Sequence, residues 1–132
     1  MEEFYTRETS NKGNKLPLYT PDGEKSKHWF IVRGTDSDAF KIAELTAKRK
    51  LVEIAQIKDD EERSAALLKS QTTVIASLIS EWSFDKPCTE ENKIEFLRNA
   101  PQVAEAINRY AGNRSNFFKK RSQDSESGTA ES

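Results

Sequence analysis

The sequence predicts a mostly α-helical (α+β) protein in which an N-terminal β-hairpin packs on a bundle of about four helices, with disordered termini. Apolar residues recur at helical spacing from residue 40 onwards, a stretch of aromatic and β-branched residues precedes them, and both ends are polar. The 132 residues fit a single domain. Because 35% of them are hydrophobic and 33% are charged, little apolar material is available for a core.

Composition also argues against several classes of protein. No apolar run approaches the roughly 18 residues of a membrane span, and no signal-peptide stretch opens the chain. A single cysteine cannot form an intrachain disulfide, and one cysteine with one histidine does not favour a zinc site. A net charge of −1 provides no general attraction to nucleic acid. We therefore expect a small cytoplasmic protein without membrane contact.

Polarity divides the chain into three parts. Residues 1–15 are expected to form a flexible N-terminal arm. Residues 119–132 are expected to be a disordered polar tail, since residues 121–132 contain no large apolar side chain. Residues 16–118 then form a single helical domain that begins with the β-hairpin.

The hairpin is predicted from two strands, Leu16–Thr20 and His28–Arg33, separated by the turn sequence Pro21–Gly23. Pro17 lacks a backbone N–H, which places the first strand at an edge of the sheet. An isolated hairpin is only marginally stable in water, so we expect it to pack on a helix or on another subunit.

The first long helix is expected to begin within Gly34–Asp38, where Asp or Ser can cap it. Leu45 and Val52, seven residues apart, form a narrow second patch on this helix. Two apolar patches indicate wide burial or a partner. The main apolar stripe consists of Phe40, Ala43, Ala47, Leu51 and Ile54.

A second long helix is predicted from about Glu61 to Trp82, after a break at Lys58–Arg63. Its core face is expected to consist of Leu68, Ile75, Ile79 and Trp82. Beside that face lie Leu67, Val74 and Leu78.

Two shorter helices complete the predicted bundle. Thr89 resembles the cap of one of them, which carries Ile94, Phe96 and Leu97. Pro101 suits the first turn of the other, and Gly112-Asn113 would end it. The apolar face of this last helix contains Val103, Ala106, Ile107 and Tyr110.

The sequence contains no motif typical of catalysis or of cofactor binding. It has neither a glycine-rich phosphate loop nor a Gly-x-Ser-x-Gly motif. His28 is interpreted as a polar position in the hairpin and Cys88 as a small filler in a loop. Acidic pairs such as Asp59-Asp60 occur where helices begin, which helix capping explains. We therefore expect no enzyme, no cofactor, no metal and no catalytic residue.

A small nucleic-acid-binding regulator is the first alternative hypothesis, and a small enzyme that acts through His28 or Cys88 is the second. Lys48-Arg49-Lys50 is basic, and in Arg114–Arg121 two phenylalanines lie among basic residues, where they could stack on bases. Overall neutrality argues against this function, because affinity for nucleic acid depends mainly on neutralising phosphates. The apolar helix surfaces, together with the lack of catalytic motifs, instead favour a protein that binds other proteins.

The order of these segments resembles the tail assembly chaperones of long-tailed (siphovirus-type) bacteriophages. The resemblance covers about Leu16 to Lys120 and depends on order and spacing more than on any single motif. The segments are the hairpin from Leu16 to Gly34, Asp36–Phe40, Ile79–Trp82, Thr89–Asn92, Phe96-Leu97, Asn99–Val103, Ile107 and Asn116-Phe117.

This resemblance implies a helical, non-enzymatic protein of the bacterial host cytoplasm that is not expected in the mature virion. Its implied partners are the phage tape measure protein, which it would keep soluble, and the major tail protein, whose tail-tube subunits it would help recruit. The family also implies a longer product of ribosomal frameshifting near Lys119-Lys120, and a homo-oligomer remains open. We expect the partner-binding residues to be Leu45, Val52, Leu67, Val74, Leu78, Phe117 and Phe118.

Overall fold

In the computed structural model, which describes residues 1–118, five α-helices surround a three-stranded antiparallel sheet of order β1-β2-β3. The predicted fold class is confirmed. The predicted tail, residues 119–132, lies outside the described residues. The elements are α1 (Arg7–Lys12), β1 (Asn14–Tyr19), β2 (Lys25–Val32), α2 (Asp38–Ala55), α3 (Asp60–Ala76), β3 (Ile79–Trp82), α4 (Glu90–Asn99) and α5 (Pro101–Gly112), with short 3₁₀ turns at Glu2–Phe4 and Arg114–Phe117.

The N-terminal hairpin has the predicted turn and edge. β1 pairs with β2 so that Leu16 lies opposite Phe30, and the Thr20 N–H donates to the Glu24 carbonyl at 2.8 Å. Gly23 adopts a φ of +89°, which only glycine accommodates without strain. β1 is an edge strand, so Pro17 leaves no ladder hydrogen bond unmade in the sheet interior.

The prediction that the second long helix continues to Trp82 is wrong. Helix α3 ends at Ala76, and the strand β3 pairs with β2, placing Trp82 opposite Phe30. The strand brings Ile79 and Trp82 into the core. The third strand gives the hairpin the partner that an isolated pair of strands lacks.

Donors distant in sequence form hydrogen bonds to the backbone carbonyls between the end of α3 and the start of β3. The Arg33 guanidinium donates to the Ser77 carbonyl at 2.9 Å, and the Arg33 backbone N–H donates to the Leu78 carbonyl at 2.6 Å. Lys93 Nζ donates to the Ile79 carbonyl at 2.9 Å. These donors replace the hydrogen bonds that a continuing helix would have made to the same carbonyls.

The hydrophobic core lies between the sheet and the helices α4 and α5. Phe30 is at the centre of an aromatic cluster with Trp82, Phe84 and Phe96, whose ring centroids are 5.6–5.8 Å from its own. Phe84 and Phe96 meet Phe30 edge to face, and such contacts add to the stabilisation that burial alone provides. The largest fully enclosed apolar side chains of this core are Phe30, Leu78, Ile79, Leu97, Ile107 and Val32.

Three helix starts have the side-chain caps that their sequences indicate. The side-chain oxygens of Ser37, Asp59 and Thr89 accept hydrogen bonds from backbone N–H groups three residues ahead, at 3.3, 2.9 and 3.2 Å. Each cap satisfies an otherwise unpaired donor of the first turn. The predicted positions of α2, α4 and the break before α3 are therefore confirmed.

Residues 1–15, for which the sequence predicts a flexible arm, contain regular secondary structure. This segment contains helix α1, whose Ser10 is buried, and its last two residues belong to β1. Arg7 donates to both oxygens of Asp38 at 2.7 and 2.8 Å. Long-range polar contacts hold the segment, which its composition alone does not indicate.

Asp36 joins the first and last segments of the described chain. Its carboxylate accepts hydrogen bonds from Thr6 Oγ1 at 2.8 Å and from Arg114 Nε at 2.8 Å. The hydrogen bond from Arg114 is the main reason why the pKa of Asp36 lies below its usual value. We call Asp36, Thr6 and Arg114 the terminal junction.

Candidate functional site

Helices α2 and α3 form a hairpin joined by residues 56–59. Helix α2 packs mainly against α3 and touches α1 near its start, whereas α3 also contacts α4 and α5. The 18-residue α2 buries a single side chain, Phe40. Isolated helices of about this length are marginally stable in water, so α2 depends on its contact with α3.

The contact between α2 and α3 is made largely by small side chains. A shallow groove of about 510 Å³ between them is lined by small side chains such as Ala43, Ala47 and Ser70, and also by the larger Ile42, Lys50 and Val74. Small side chains let the two helices approach closely but bury little apolar area. The hairpin is therefore attached to the core mainly through the C-terminal part of α3.

Four large apolar side chains of α2 are exposed: Leu51 is 47% exposed, and three others are more than half exposed. Ile42 is 64% exposed, Leu45 53% and Val52 65%. They lie away from the stripe through Phe40, Ala47 and Ile54, because five residues along a helix correspond to a rotation of about 140° relative to that stripe. This exposed apolar surface, Ile42, Leu45 and Val52, is the candidate functional site.

The predicted partner-binding residues fall into two groups. Leu45, Val52 and Phe118 are exposed, and Leu67 is 37% exposed. The others present little or no surface: Val74 is half-buried against the core, Leu78 is completely buried, and Phe117 is 2% exposed.

The predicted division of the second long helix into a core face and a partner face is partly reversed. Leu68, expected in the core, is 64% exposed, so that expectation is wrong. Leu78, expected beside the core, lies beyond the end of α3 and inside the core. The reason is that α3 enters the hydrophobic core only near its C-terminal end, where Ala76 is buried.

Sequence reasoning missed Ile42, the α2 residue that extends the exposed patch by one turn. Its signal was present in the spacing, since Ile42 precedes Leu45 by three residues and Val52 by ten. The same spacing places all three on one side of the helix.

The two residues with the greatest chemical reactivity lie in ordinary structural surroundings. His28 Nδ1 is 3.1 Å from Ser83 Oγ, and its ring packs 4.6 Å from that of Phe84. Cys88 is half-buried, and burial raises the pKa of its thiol. Within residues 1–118, no group of three or more His, Cys, Asp or Glu side chains could hold a metal ion.

The family model of the phage tail assembly chaperones matches residues 13–122. The chain belongs to this family. The match extends over the sheet, the α2–α3 hairpin and the helices α4 and α5. The chain has no significant match among the curated proteins or among the solved structures.

Membership of this family places the chaperone in the host cell during phage assembly, with phage tail proteins as its general partners. Among the described residues, no helix is both long enough and apolar enough to cross a membrane.

Of the two phenylalanines that the nucleic-acid hypothesis would stack on bases, Phe118 is exposed and Phe117 is not. Phe117 is buried against Tyr110, with ring centroids 5.7 Å apart, and is therefore unavailable for stacking on a base. Lys119, Lys120 and Arg121 lie outside the described residues. Lys48-Arg49-Lys50 is exposed on α2, beside the candidate apolar surface.

Proposed function

We propose that this chaperone binds the phage tape measure protein, keeps it soluble and helps recruit major tail protein subunits during tail assembly. The exposed apolar surface on α2 carries the proposal. A surface of this kind fits the apolar face of an amphipathic helix, which is a recurrent mode of helix recognition. The chaperone acts in the host cytoplasm and is released before the virion is complete.

The expected binding free energies favour a complex in which several copies of the chaperone bind one client. Full burial of an Ile, Leu or Val side chain contributes about 1.5–3 kcal/mol, so three half-exposed side chains contribute roughly 2–5 kcal/mol in total. Association itself costs about 4–15 kcal/mol in lost freedom, so a single site binds weakly. A long client with repeated helical segments gains affinity by engaging several chaperones at once.

Co-expression with the tape measure protein tests this function. The wild-type chaperone should raise the soluble fraction of the tape measure protein and co-purify with it. The double variant Leu45→Gln/Val52→Gln should lose both effects while remaining folded, because glutamine is well tolerated in helices.

Tyr19→Gln is the matched control, because Tyr19 is 55% exposed on β1 and lies outside the α2 surface. It should behave as the wild type. The proposal would be contradicted if Tyr19→Gln and Leu45→Gln/Val52→Gln lost solubilisation of the tape measure protein equally. It would also be contradicted if Leu45→Gln/Val52→Gln lost none. Binding to DNA or RNA that weakens steeply with salt would instead support the nucleic-acid alternative.

We also propose a longer product made by ribosomal frameshifting near Lys119-Lys120, where two lysine codons can provide an A-rich sequence. Sequencing the gene tests this point. The proposal requires a slippery heptamer at these codons and an overlapping downstream reading frame, and the lack of either one would refute it.

A further inference from the structure

The exposed surface of α2 has the spacing of a coiled-coil seam. Ile42, Leu45, Arg49 and Val52 follow one another at intervals of three, four and three residues, as heptad a and d positions do. All four are exposed. We call these four residues the outer seam.

Arg49 is the one charged member of the outer seam. Covering the seam with a partner helix would remove the Arg49 guanidinium from water, and such burial is strongly unfavourable unless the charge is paired. Within residues 1–118, Arg49 forms no ion pair that could accompany it into an interface. Glu53, four residues further along α2, is the nearest carboxylate on the same helix but does not pair with Arg49, so a carboxylate of the partner would complete the pairing.

The positions that flank the outer seam carry a net positive charge, as Arg49 within the seam does. Lys41 and Lys48 occupy the g positions on one side, where they are exposed, and Thr46 and Glu53 occupy the e positions on the other. Neither lysine is in an ion pair within the described part of the chain. The seam and its borders thus carry a net positive charge.

A second copy of the chain does not supply the missing carboxylate. In a parallel pairing, Arg49 would face the same arginine of the other chain, and the nearest carboxylate of that chain, Glu53 at an e position, would pair with Lys48 at the preceding g position. In an antiparallel pairing Arg49 would face Leu45, with the rows of Lys41 and Lys48 brought together. Either arrangement leaves the guanidinium unpaired between like charges, which disfavours association.

We infer that the outer seam receives an amphipathic helix of the client whose heptad-spaced apolar face contains an Asp or Glu opposite Arg49. This inference rests on the proposed function and specifies which client segments bind. Leucines supply the apolar contact, and the carboxylate fixes the register, as a single polar seam position does in coiled coils. Segments with lysine or arginine at that position are rejected.

The test uses the full chain and two synthetic helical peptides with leucine at their a and d positions. The central seam position is glutamate in one peptide and lysine in the other. The wild-type chain should bind the glutamate peptide at least about tenfold more tightly than the lysine peptide, since close charge pairs at interfaces couple strongly. Arg49→Glu should reverse this preference, and the reversal distinguishes recognition from a loss of folding.

Arg98→Glu serves as the control, because Arg98 is exposed on α4, outside the seam. It should leave the peptide preference unchanged. Equal affinities for the two peptides, or no response to Arg49→Glu, would overturn the inference. Concentration-dependent dimerisation abolished by Leu45→Gln/Val52→Gln would also overturn it, by identifying a second copy as the occupant.

The inference and the proposed function fail in different ways. If Arg49→Glu still solubilises the tape measure protein while Leu45→Gln/Val52→Gln does not, the charged contact is refuted and the chaperone surface stands. If neither variant reduces the solubility of the tape measure protein, both are refuted.

Discussion

The sheet side of the molecule and the α2–α3 hairpin use apolar residues in opposite ways. In β2 and β3, Phe30, Val32 and Ile79 are completely buried. In α2, Ile42, Leu45 and Val52 are each more than half exposed. Only 35% of the residues of this small chain are hydrophobic. Those of the sheet form the core, whereas these three residues of α2 remain in contact with solvent.

The difference separates the residues that hold the fold from those available for binding. Core side chains lose both transfer free energy and packing when truncated, whereas exposed side chains lose little. Substitutions in the sheet should therefore act on stability, and substitutions in α2 on partner capture. The terminal junction lies at the start of the second region, because Asp36 comes just before α2.

Phe30→Ala should have the largest effect on stability. Phe30 is completely buried in the aromatic cluster, and its loss should lower the free energy of unfolding by about 3–5 kcal/mol. Leu45→Ala, on the exposed seam, should change it by less than about 0.5 kcal/mol. Urea unfolding followed by circular dichroism measures both values. Similar losses in the two variants would remove the distinction between the regions.

Gly34→Ala should have an intermediate effect. A methyl group at this position would lie 2.5 Å from Ser10 Oγ and 3.0 Å from the ring of Phe117. The crowding should lower the free energy of unfolding by about 1–3 kcal/mol, by pushing α1 and the C-terminal turn apart. Thermal or urea unfolding measures the change.

Gly112→Ala is the matched control for this crowding. The same methyl group at Gly112, in the last turn of α5, would meet nothing within 4 Å. This variant should be as stable as the wild type or slightly more so, because alanine favours helix over glycine. If Gly34→Ala were equally harmless, the close packing of α1 on the turn would not contribute to stability.

Asp36→Asn should have the smallest effect, and one that depends on pH. Because the pKa of Asp36 is lowered in the folded state, its ionised form stabilises the fold above the usual aspartate pKa, and this stabilisation disappears as the pH falls through the lowered value. Near pH 7 the wild type should be more stable than the variant by at most about 1 kcal/mol, since Arg114 is largely solvated.

The measurement is urea unfolding of both proteins between about pH 7 and pH 3, a range that includes the usual aspartate pKa near 3.9. The stability difference should narrow as the pH falls below about 4. A difference that stays constant over this range would mean that the charge of Asp36 contributes nothing to the terminal junction.

Local chemistry made much of the fold predictable from the sequence. The caps at Ser37, Asp59 and Thr89 and the turn at Gly23 depend on residues at most a few positions away. The strand β3 and helix α1 depend instead on distant partners, such as Lys93 for the Ile79 carbonyl and Asp38 for Arg7. No pattern within either segment records those contacts.

The candidate site shows the same limit. Helical spacing correctly grouped Leu45 with Val52, but it could not tell which residues of α3 enter the core, so Leu68 and Leu78 exchanged places. Leu78 belongs to the turn after α3, and the helical phase used for its placement does not apply there. Periodicity identifies faces of a helix, whereas only the packed structure says what each face contacts.

The position of the terminal junction determines where an affinity tag can be attached without covering α2. Thr6 and Arg114 meet at one carboxylate beside the start of α2, and a helix of this length extends about 27 Å from there. An affinity tag at the N-terminus, or one that follows residue 118 closely, would emerge on the same side, with the far end of the helical hairpin pointing away. Anchoring the chaperone to a sensor chip through such a tag should leave the exposed surface of α2 accessible to molecules in solution.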